Sequence, residues 1–255
     1  MTQRQLQKWH GAGNDFLVEV AGPDAPGWWT PERAAAVCDR HRGVGADGLI
    51  VAVVGEGVAM TLYNADGGAA EMSGNGVRCL AAALRRATDA TWGEVDVMTP
   101  AGTRRVSLSL DGPSGDGSVA MGAVTFAEAL QGTLGVATVG NPHAVVLDDA
   151  SWSTTHREEL ARALSERLGG ANVEFVTVID RGHLDMTVIE RGVGWTLACG
   201  TGSVAAAALT HRAGLTDADV TVTNPGGDLR VSLAGGAATL AGPVRFVADV
   251  EWEAP

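Results

Sequence analysis

Two stretches of this chain carry the same device 126 residues apart. Residues 64–76 read NADGGAAEMSGNG, and residues 190–202 read ERGVGWTLACGTG. In each, a polar residue (Asn64, Glu190) stands nine positions before a small nucleophile-type side chain (Ser73, Cys199), and a Gly-x-Gly turn and an Ala-rich run follow. The repeat extends further. Gly13-Asn14-Asp15-Phe16 matches Gly140-Asn141-Pro142-His143 at an offset of 127, and TPAGTRRVSL (99–108) matches NPGGDLRVSL (224–233) at 125. A period this long excludes solenoids and propellers, whose repeats run about 20–50 residues. It implies a duplicated domain. Two similar halves face each other, each presenting one proton-handling side chain, as is needed to reach both faces of one carbon atom.

Composition narrows the classes. With 255 residues, each half has the size of a small domain. A hydrophobic content of 45% and a charged content of 19% describe an ordinary globular chain able to bury a core. The net charge of −12 argues against a nucleic-acid partner, which needs a basic surface. The N-terminus has no apolar run of signal-peptide length, and the most apolar stretch, Leu49–Val54, has strand length and is far too short to span a membrane. Cys38, Cys79 and Cys199 show no metal spacing and fit a reducing cytoplasm. The six histidines show no paired zinc spacing either, so no metal is expected. Lys8 is the only lysine and lies in a strand-like terminal segment, which argues against a pyridoxal-phosphate Schiff base.

Periodicity and punctuation predict strands near 6–8 and 16–20 and over 48–54, 58–63, 94–98, 103–110 and 117–121. The second half repeats the order with strands near 134–139, 143–148, 173–180, 183–190, 219–223, 228–234, 237–242 and 244–251. Thr30-Pro31 opens a helix running to about His41, and Thr155–Glu158 reads as a capping box for a helix over 156–168. Ala-rich helices are expected over 77–87 and 203–213. The fold class is α+β. Two pseudo-symmetric domains are expected, each a curved, mostly antiparallel, barrel-like sheet wrapped around a central helix, with the active site in the cleft between them. The first domain spans 1–116, and the last C-terminal strand can complete it. The second spans 117–255, the join falling in the Gly/Ser-rich stretch 111–118.

Several motifs have a bland and a functional reading. GVGADG (43–48) fits a dinucleotide pattern, but a helix precedes it and a strand follows, the reverse of the required context, so it reads as a tight turn. Gly74-Asn75-Gly76 and Gly200-Thr201-Gly202 each open a helix, where backbone N–H groups and the dipole suit an anion such as a carboxylate. Cys199, just before such a start, reads as a reactive thiol, because helix N-termini lower a thiol pKa. Cys38 and Cys79 lie inside helical runs and read as buried packing. Ser73 alone would be a helix cap; its repeat relation to Cys199 promotes it. Asn14, Asn64, Asn141 and Asn172 either hold polar ligand groups or satisfy their own turns. Glu190-Arg191, ending an apolar strand, is exposed, paired or ligand-binding. His143 either orients the site or fills the core.

HGAGNDF (10–16), RGVGADG (42–48), NADGGAAEMSGNGVRC (64–79), GNPH (140–143), NVEF (172–175) and ERGVGWTLACGTG (190–202) together resemble the diaminopimelate epimerase family, in its order and spacing. The resemblance implies a cofactor-independent epimerase of lysine and cell-wall synthesis that interconverts LL- and meso-2,6-diaminopimelate and is commonly dimeric. It implies a catalytic pair at Ser73 and Cys199, with His143 and Glu190 near the chemistry. Ligand contacts fall on Asn14, Asn64, Gly74, Asn75, Asn141, Asn172, Glu190, Arg191, Gly200 and Thr201. This chain departs from the family at Ser73, where cysteine is the rule, at Gly48, where glutamine is common, and at Trp195, which replaces a frequent glutamate.

Inverting an α-carbon removes a proton from one face and delivers one to the other, with fixed donors stabilising the carbanion through the substrate carboxylate. Serine is the poorer partner. Taking the ~15.7 of bulk water as a stand-in for the hydroxyl, at about 1.36 kcal/mol per unit an alkoxide costs up to about 10 kcal/mol more than a thiolate. Weak epimerisation with intact substrate binding is therefore expected. The rival readings are a racemase or dehydratase acting on another amino acid, and a non-catalytic amino-acid-binding relative.

Overall fold

The computed structural model describes residues 3–23 and 27–253. The strands and helices follow in the order β1 (Gln3–Gly11), β2 (Asn14–Ala21), α1 (Pro31–Cys38), β3 (Gly48–Val54), β4 (Val58–Asn64), β5 (Ala69–Ala70), α2 (Gly74–Ala87), β6 (Glu94–Thr99), β7 (Gly102–Asp111) and β8 (Ser114–Gly122). There follow β9 (Thr125–Ala127), β10 (Gly135–Thr138), β11 (Pro142–Leu147), α3 (Thr154–Arg167), β12 (Asn172–Asp180), β13 (His183–Glu190), β14 (Gly194–Thr196), α4 (Gly200–Arg212), β15 (Asp219–Asn224), β16 (Gly227–Ser232) and β17 (Ala238–Glu253). The chain forms two compact units, Met1–Val119 with Gly242–Pro255, and Ala120–Ala241. It leaves the first within β8 and returns within β17. The stretch 111–118 forms the turn and first residues of the β7–β8 hairpin. No helix among the described residues is long and apolar enough to cross a membrane.

In the first unit the strands pair in the ring β1-β2-β3-β4-β6-β7-β8-β17, which closes where β17 meets β1. Helix α2 is buried from Gly74 to Leu84, as a helix inside such a ring must be, and its alanines let the strands close around it. Successive strand side chains point to opposite faces, and this parity decides which residues reach α2. On β2 and β3, Leu17, Leu49 and Val51 join the core under α1, with Trp29, Ala34 and Val37. Phe16 and Ile50, of opposite parity, face the first turn of α2.

The second unit repeats the plan. Strands β9-β10-β11-β12-β13-β15-β16 and the start of β17 form one ladder, with β11 parallel to β12 and β13 parallel to β15. Ala144, Val146, Val173 and Phe175 pack under α3 with Ala161 and Leu164. His143 and Glu174 have the other parity. Helix α4 is buried from Gly200 to Thr210 and packs on β10, β11, β12 and β16.

The element boundaries differ from expectation in several places. Helices α2 and α4 begin at Gly74 and Gly200, three residues before the Ala-rich runs, because the Ser73 and Cys199 side chains cap them. Helix α1 stops at Cys38 because the Asp39 carboxylate takes the N–H groups of His41 and Arg42 and turns the chain. Helix α3 starts at Thr154, capped by Ser153 rather than by Thr155; the Ser153 hydroxyl accepts from His156 N. The two C-terminal strands are one, since Pro243 falls between the β16 ladder, which ends at Ala241, and the β1 ladder, which begins at Arg245.

Candidate active site

In the first unit the candidate residues gather where α2 begins. Ser73 has extended backbone (φ −133°, ψ 124°), and its Oγ accepts the Gly76 N–H at 3.0 Å. Asn75, fully buried on the first turn, donates through Nδ2 to Asn14 Oδ1 at 3.2 Å. Asn14 opens β2 and donates through Nδ2 to Asp47 Oδ2 at 2.8 Å. Beyond lies a charged cluster. Arg40 Nη2 reaches Asp15 Oδ1 at 2.6 Å and Asp47 Oδ1 at 2.8 Å, and Lys8 Nζ lies 3.0 Å from Asp15 Oδ2. Burial alone would raise the Asp15 carboxyl, but the Arg40 and Lys8 hydrogen bonds outweigh it and hold the group below its usual range. Asn64 ends β4 opposite Gly48, its backbone bonded to Gly67 and Gly68. A Cβ on Gly48 would lie 2.7 Å from the Tyr63 carbonyl oxygen, so this backbone is closed to the glutamine that the resemblance suggests there.

In the second unit Cys199 repeats the part of Ser73. Its backbone is extended (φ −125°, ψ 114°), and Sγ accepts the Gly202 N–H at 3.3 Å. Thr201 Oγ1 lies 3.5 Å from the sulfur and Asn172 Nδ2 3.8 Å from it. Asn172 Oδ1 accepts from Arg191 N at 2.9 Å, and Glu190 Oε1 accepts the Thr196 hydroxyl at 2.6 Å. Glu190 and Arg191 also line a cavity of about 500 Å³, with Glu158, Arg162 and Trp195. His143 and Glu174 are both 0% exposed; Nδ1 meets Oε1 at 2.7 Å, while Nε2 meets Asn141 Oδ1 at 2.9 Å. Ligand-type atoms of His143, Glu174 and Cys199 lie within 4.8 Å of one another. These are zinc-type donors, but the direct His143–Glu174 hydrogen bond ties two of them to each other.

The sign of the thiol shift is a correction. Position at a helix start predicts a lowered Cys199 pKa. The structure instead places it well above its ordinary value, chiefly through burial and then through the Glu190 and Glu174 charges, against weaker help from Thr201 and the Gly202 N–H. Burying a thiolate beside two carboxylates outweighs a helix-start effect worth about 0.3–1 kcal/mol. Burial likewise raises Cys38 and Cys79, each to about 12.

The sequence profile of the diaminopimelate epimerase family matches residues 6–127 and 135–247. Diaminopimelate epimerase of Rhodococcus opacus is 40% identical over 96% of this chain and 95% of its own length. That of Xanthomonas euvesicatoria is 37% identical over 97% and 96%. The chain belongs to the diaminopimelate epimerase family. Among solved structures, a hydroxyproline epimerase from Agrobacterium vitis with bound trans-4-hydroxy-L-proline has a TM-score of 0.76 at 18% identity, covering 98% of this chain and 92% of that one. A phenazine biosynthesis protein of the PhzF family from Bacillus anthracis has 0.74 at 14%, covering 99% and 100%. At such identities the likeness is one of fold.

As a member of the diaminopimelate epimerase family the chain is an isomerase, an amino-acid epimerase acting on a small-molecule substrate. Sequence reasoning missed three side chains around this family's motifs. Glu174 sits mid-strand in an apolar run, where a lone carboxylate is either an exposed alternation or a buried partner; its parity with Asn172 was the available signal. Arg78 breaks the Ala-rich character of α2 and would ordinarily be read as solvent-facing. Asp47 lies inside GVGADG, a stretch that reads as a turn and as a family motif without giving Asp47 itself a role.

Proposed function

We propose that this chain interconverts LL- and meso-2,6-diaminopimelate, with Cys199 and Ser73, one from each repeat, as the proton-handling pair, and that the serine slows the reaction. One observation carries the assignment of the pair. Both side chains cap the start of a buried helix in the same extended backbone, and each accepts the N–H three residues on. The backbone N–H groups of each Gly-x-Gly start that the cap does not take suit the carboxylate of an amino acid and the charge it gains in the carbanion. His143, Glu174 and Glu190 crowd Cys199 and supply places for its proton. Asn64, Asn172 and Arg191 favour a substrate with a second amino-acid end. The family resemblance supports a homodimer, and three free cysteines support a reducing cytoplasm.

The deciding experiment is chiral product analysis from LL- and from meso-diaminopimelate, in deuterated water, beside a Ser73→Cys variant. Deuterium should enter at the α-carbon faster than configuration inverts. The cysteine variant should gain about 10²- to 10⁴-fold in inversion, the usual worth of a well-matched acid or base. Fast two-way inversion by the serine chain would show that serine is no handicap. No exchange on either isomer, with exchange on another amino acid, would move the substrate.

A further inference from the structure

Arg78 sits on the second turn of α2 and is 0% exposed. A buried guanidinium costs several kcal/mol unless a carboxylate meets it. Among the described residues no carboxylate bonds to it, and the Asp116 charge acts on it only through space. Nη1 donates to the Gly74 carbonyl at 3.0 Å and Nη2 to Asn75 Oδ1 at 2.9 Å. Burial pulls its pKa down to about 10, which leaves it cationic at neutral pH. The surrounding sheet makes room for it. A Cβ on Gly11 would lie 3.2 Å from Nη2, and one on Gly117 3.2 Å from Cδ. At the matching place in the second repeat, α4 carries Val204.

The hydrogen bonds run onward from Arg78 in one direction: Arg78 to Asn75, Asn75 to Asn14, Asn14 to Asp47. A guanidinium only donates and an ionised carboxylate only accepts. The ends of the chain therefore dictate both amides between them. Each carbonyl oxygen must face back toward Arg78, and each NH2 group must face forward toward Asp47. Asn75 is wholly buried and transmits this polarity. Asn14 is half-buried and keeps one N–H that the chain does not use.

We propose that Arg78 is a positioning residue: acting through Asn75, it fixes the Asn14 side chain so that it offers an N–H donor to a substrate carboxylate. That the ligand is diaminopimelate rests on the proposed function; the orientation of the two amides does not. With Gln at 78 the first group can accept as well as donate, and the direction is lost. Lys keeps a donor-only end.

The test compares Arg78→Gln, Arg78→Lys and Asp47→Asn with the starting chain, using two measurements. Calorimetry with meso-diaminopimelate should show Kd raised tenfold or more by Arg78→Gln and by Asp47→Asn. Arg78→Lys should stay within about threefold, and the double Arg78→Gln/Asp47→Asn variant should be no weaker than the poorer single variant. Nitrogen-15 NMR should show the Asn14 and Asn75 side-chain amide protons exchanging at least tenfold faster in Arg78→Gln, while the α2 backbone amides keep their protection. If the starting chain does not bind diaminopimelate, the substrate reading fails and amide exchange alone decides. Unchanged side-chain exchange in Arg78→Gln, or loss of α2 backbone protection in both Arg78 variants, overturns the proposal, the second by showing a purely structural arginine.

Discussion

At the start of α2 the side chains closing on Gly76 are Ile50 and Phe16; at the start of α4 the side chain closing on Gly202 is Glu174, held by His143. The two sets occupy equivalent places. Phe16 pairs across from Gly48 with Ile50 two residues along, and His143 pairs across from Asn172 with Glu174 two residues along. One repeat backs its cap with an apolar pair and sets a buried cation, Arg78, behind it. The other backs its cap with a buried acid–base pair. On the proposed chemistry Cys199 can pass its proton to a neighbour in its own unit, whereas the equivalent neighbours of Ser73 take none. Duplication has kept the backbone device, and the surrounding side chains have made the two copies chemically unequal.

The sharpest way to break this contrast is to add one methyl group at the same place in each copy. A Cβ on Gly202 would lie 2.5 Å from Glu174 Oε1 and 3.1 Å from Cδ, so Gly202→Ala must displace a buried carboxylate and with it His143. Overpacking costs about 1–3 kcal/mol, and disturbing a buried charged pair adds to it; a loss on the order of 3 kcal/mol by urea unfolding is expected, together with loss of α-deuterium exchange. A Cβ on Gly76 would meet the Ile50 Cδ1 tip at 3.0 Å and Ser73 Cβ at 3.1 Å. The Ile50 tip can move, and alanine gains about 1 kcal/mol of helix propensity over glycine, so Gly76→Ala should be within about 1 kcal/mol of neutral. Equal losses in the two variants would mean that Glu174 is not what separates the copies.

A smaller effect separates the copies by pH. Cys79 on α2 and Cys38 are raised to about 12, chiefly by burial, and Cys199 is raised by burial and by Glu190 and Glu174. Groups that keep their protons longer when folded contribute in full below the ordinary thiol value of about 9. That contribution is lost as pH climbs from there through the folded values, because the unfolded chain ionises first. The melting temperature should thus fall steadily between pH 9 and 11. Iodoacetamide should modify Cys199 slowly at pH 7.5 and faster above pH 9, and should leave Cys79, 0% exposed, untouched until unfolding. Rapid alkylation of Cys199 at neutral pH without ligand would reverse the electrostatic picture of α4.

What was legible in the sequence was the backbone plan. A short continuous apolar run, GLIVAVV, places β3 over its full length, Gly48–Val54, because a strand buried on both faces runs apolar. The repeat locates both caps. The Gly-x-Gly turns mark where the helices open, but the expected helical span begins only at 77, because Gly-Asn-Gly has weak helix propensity and becomes helical when Ser73 takes the Gly76 N–H. The network behind the caps was less legible still. Arg78 and Glu174 look like surface charges in one dimension, and only the closure of the strands puts them inside; Asp47 stays half-buried and is recognised only by its bond to Asn14.

The finest contrast lies in the turns that precede the paired asparagines. In the first repeat Ala12 (φ 51°) and Gly13 (φ 80°) form the two-residue turn of the β1–β2 hairpin, between Gly11 and Asn14. In the second, the residue before Asn141 is Gly140 at φ 87°, with nothing within 4 Å of a Cβ placed there. A left-handed backbone costs an L-residue about 1–2 kcal/mol, so Ala12 holds strain next to Asn14 that Gly140 does not hold next to Asn141. Replacing Ala12 by Gly removes the strain and returns about 0.4–1 kcal/mol of unfolded-chain entropy against it. The net gain is up to about 1 kcal/mol, or roughly 2–4 °C in melting temperature for a chain of this size. Gly140→Ala, free of any clash, should lose about the same. The pair of opposite swaps isolates backbone strain from contact. Were Ala12→Gly to destabilise instead, the packing of its methyl group, 1% exposed, would outweigh the left-handed cost, and the first turn would be held by its core contacts and not against its conformational preference.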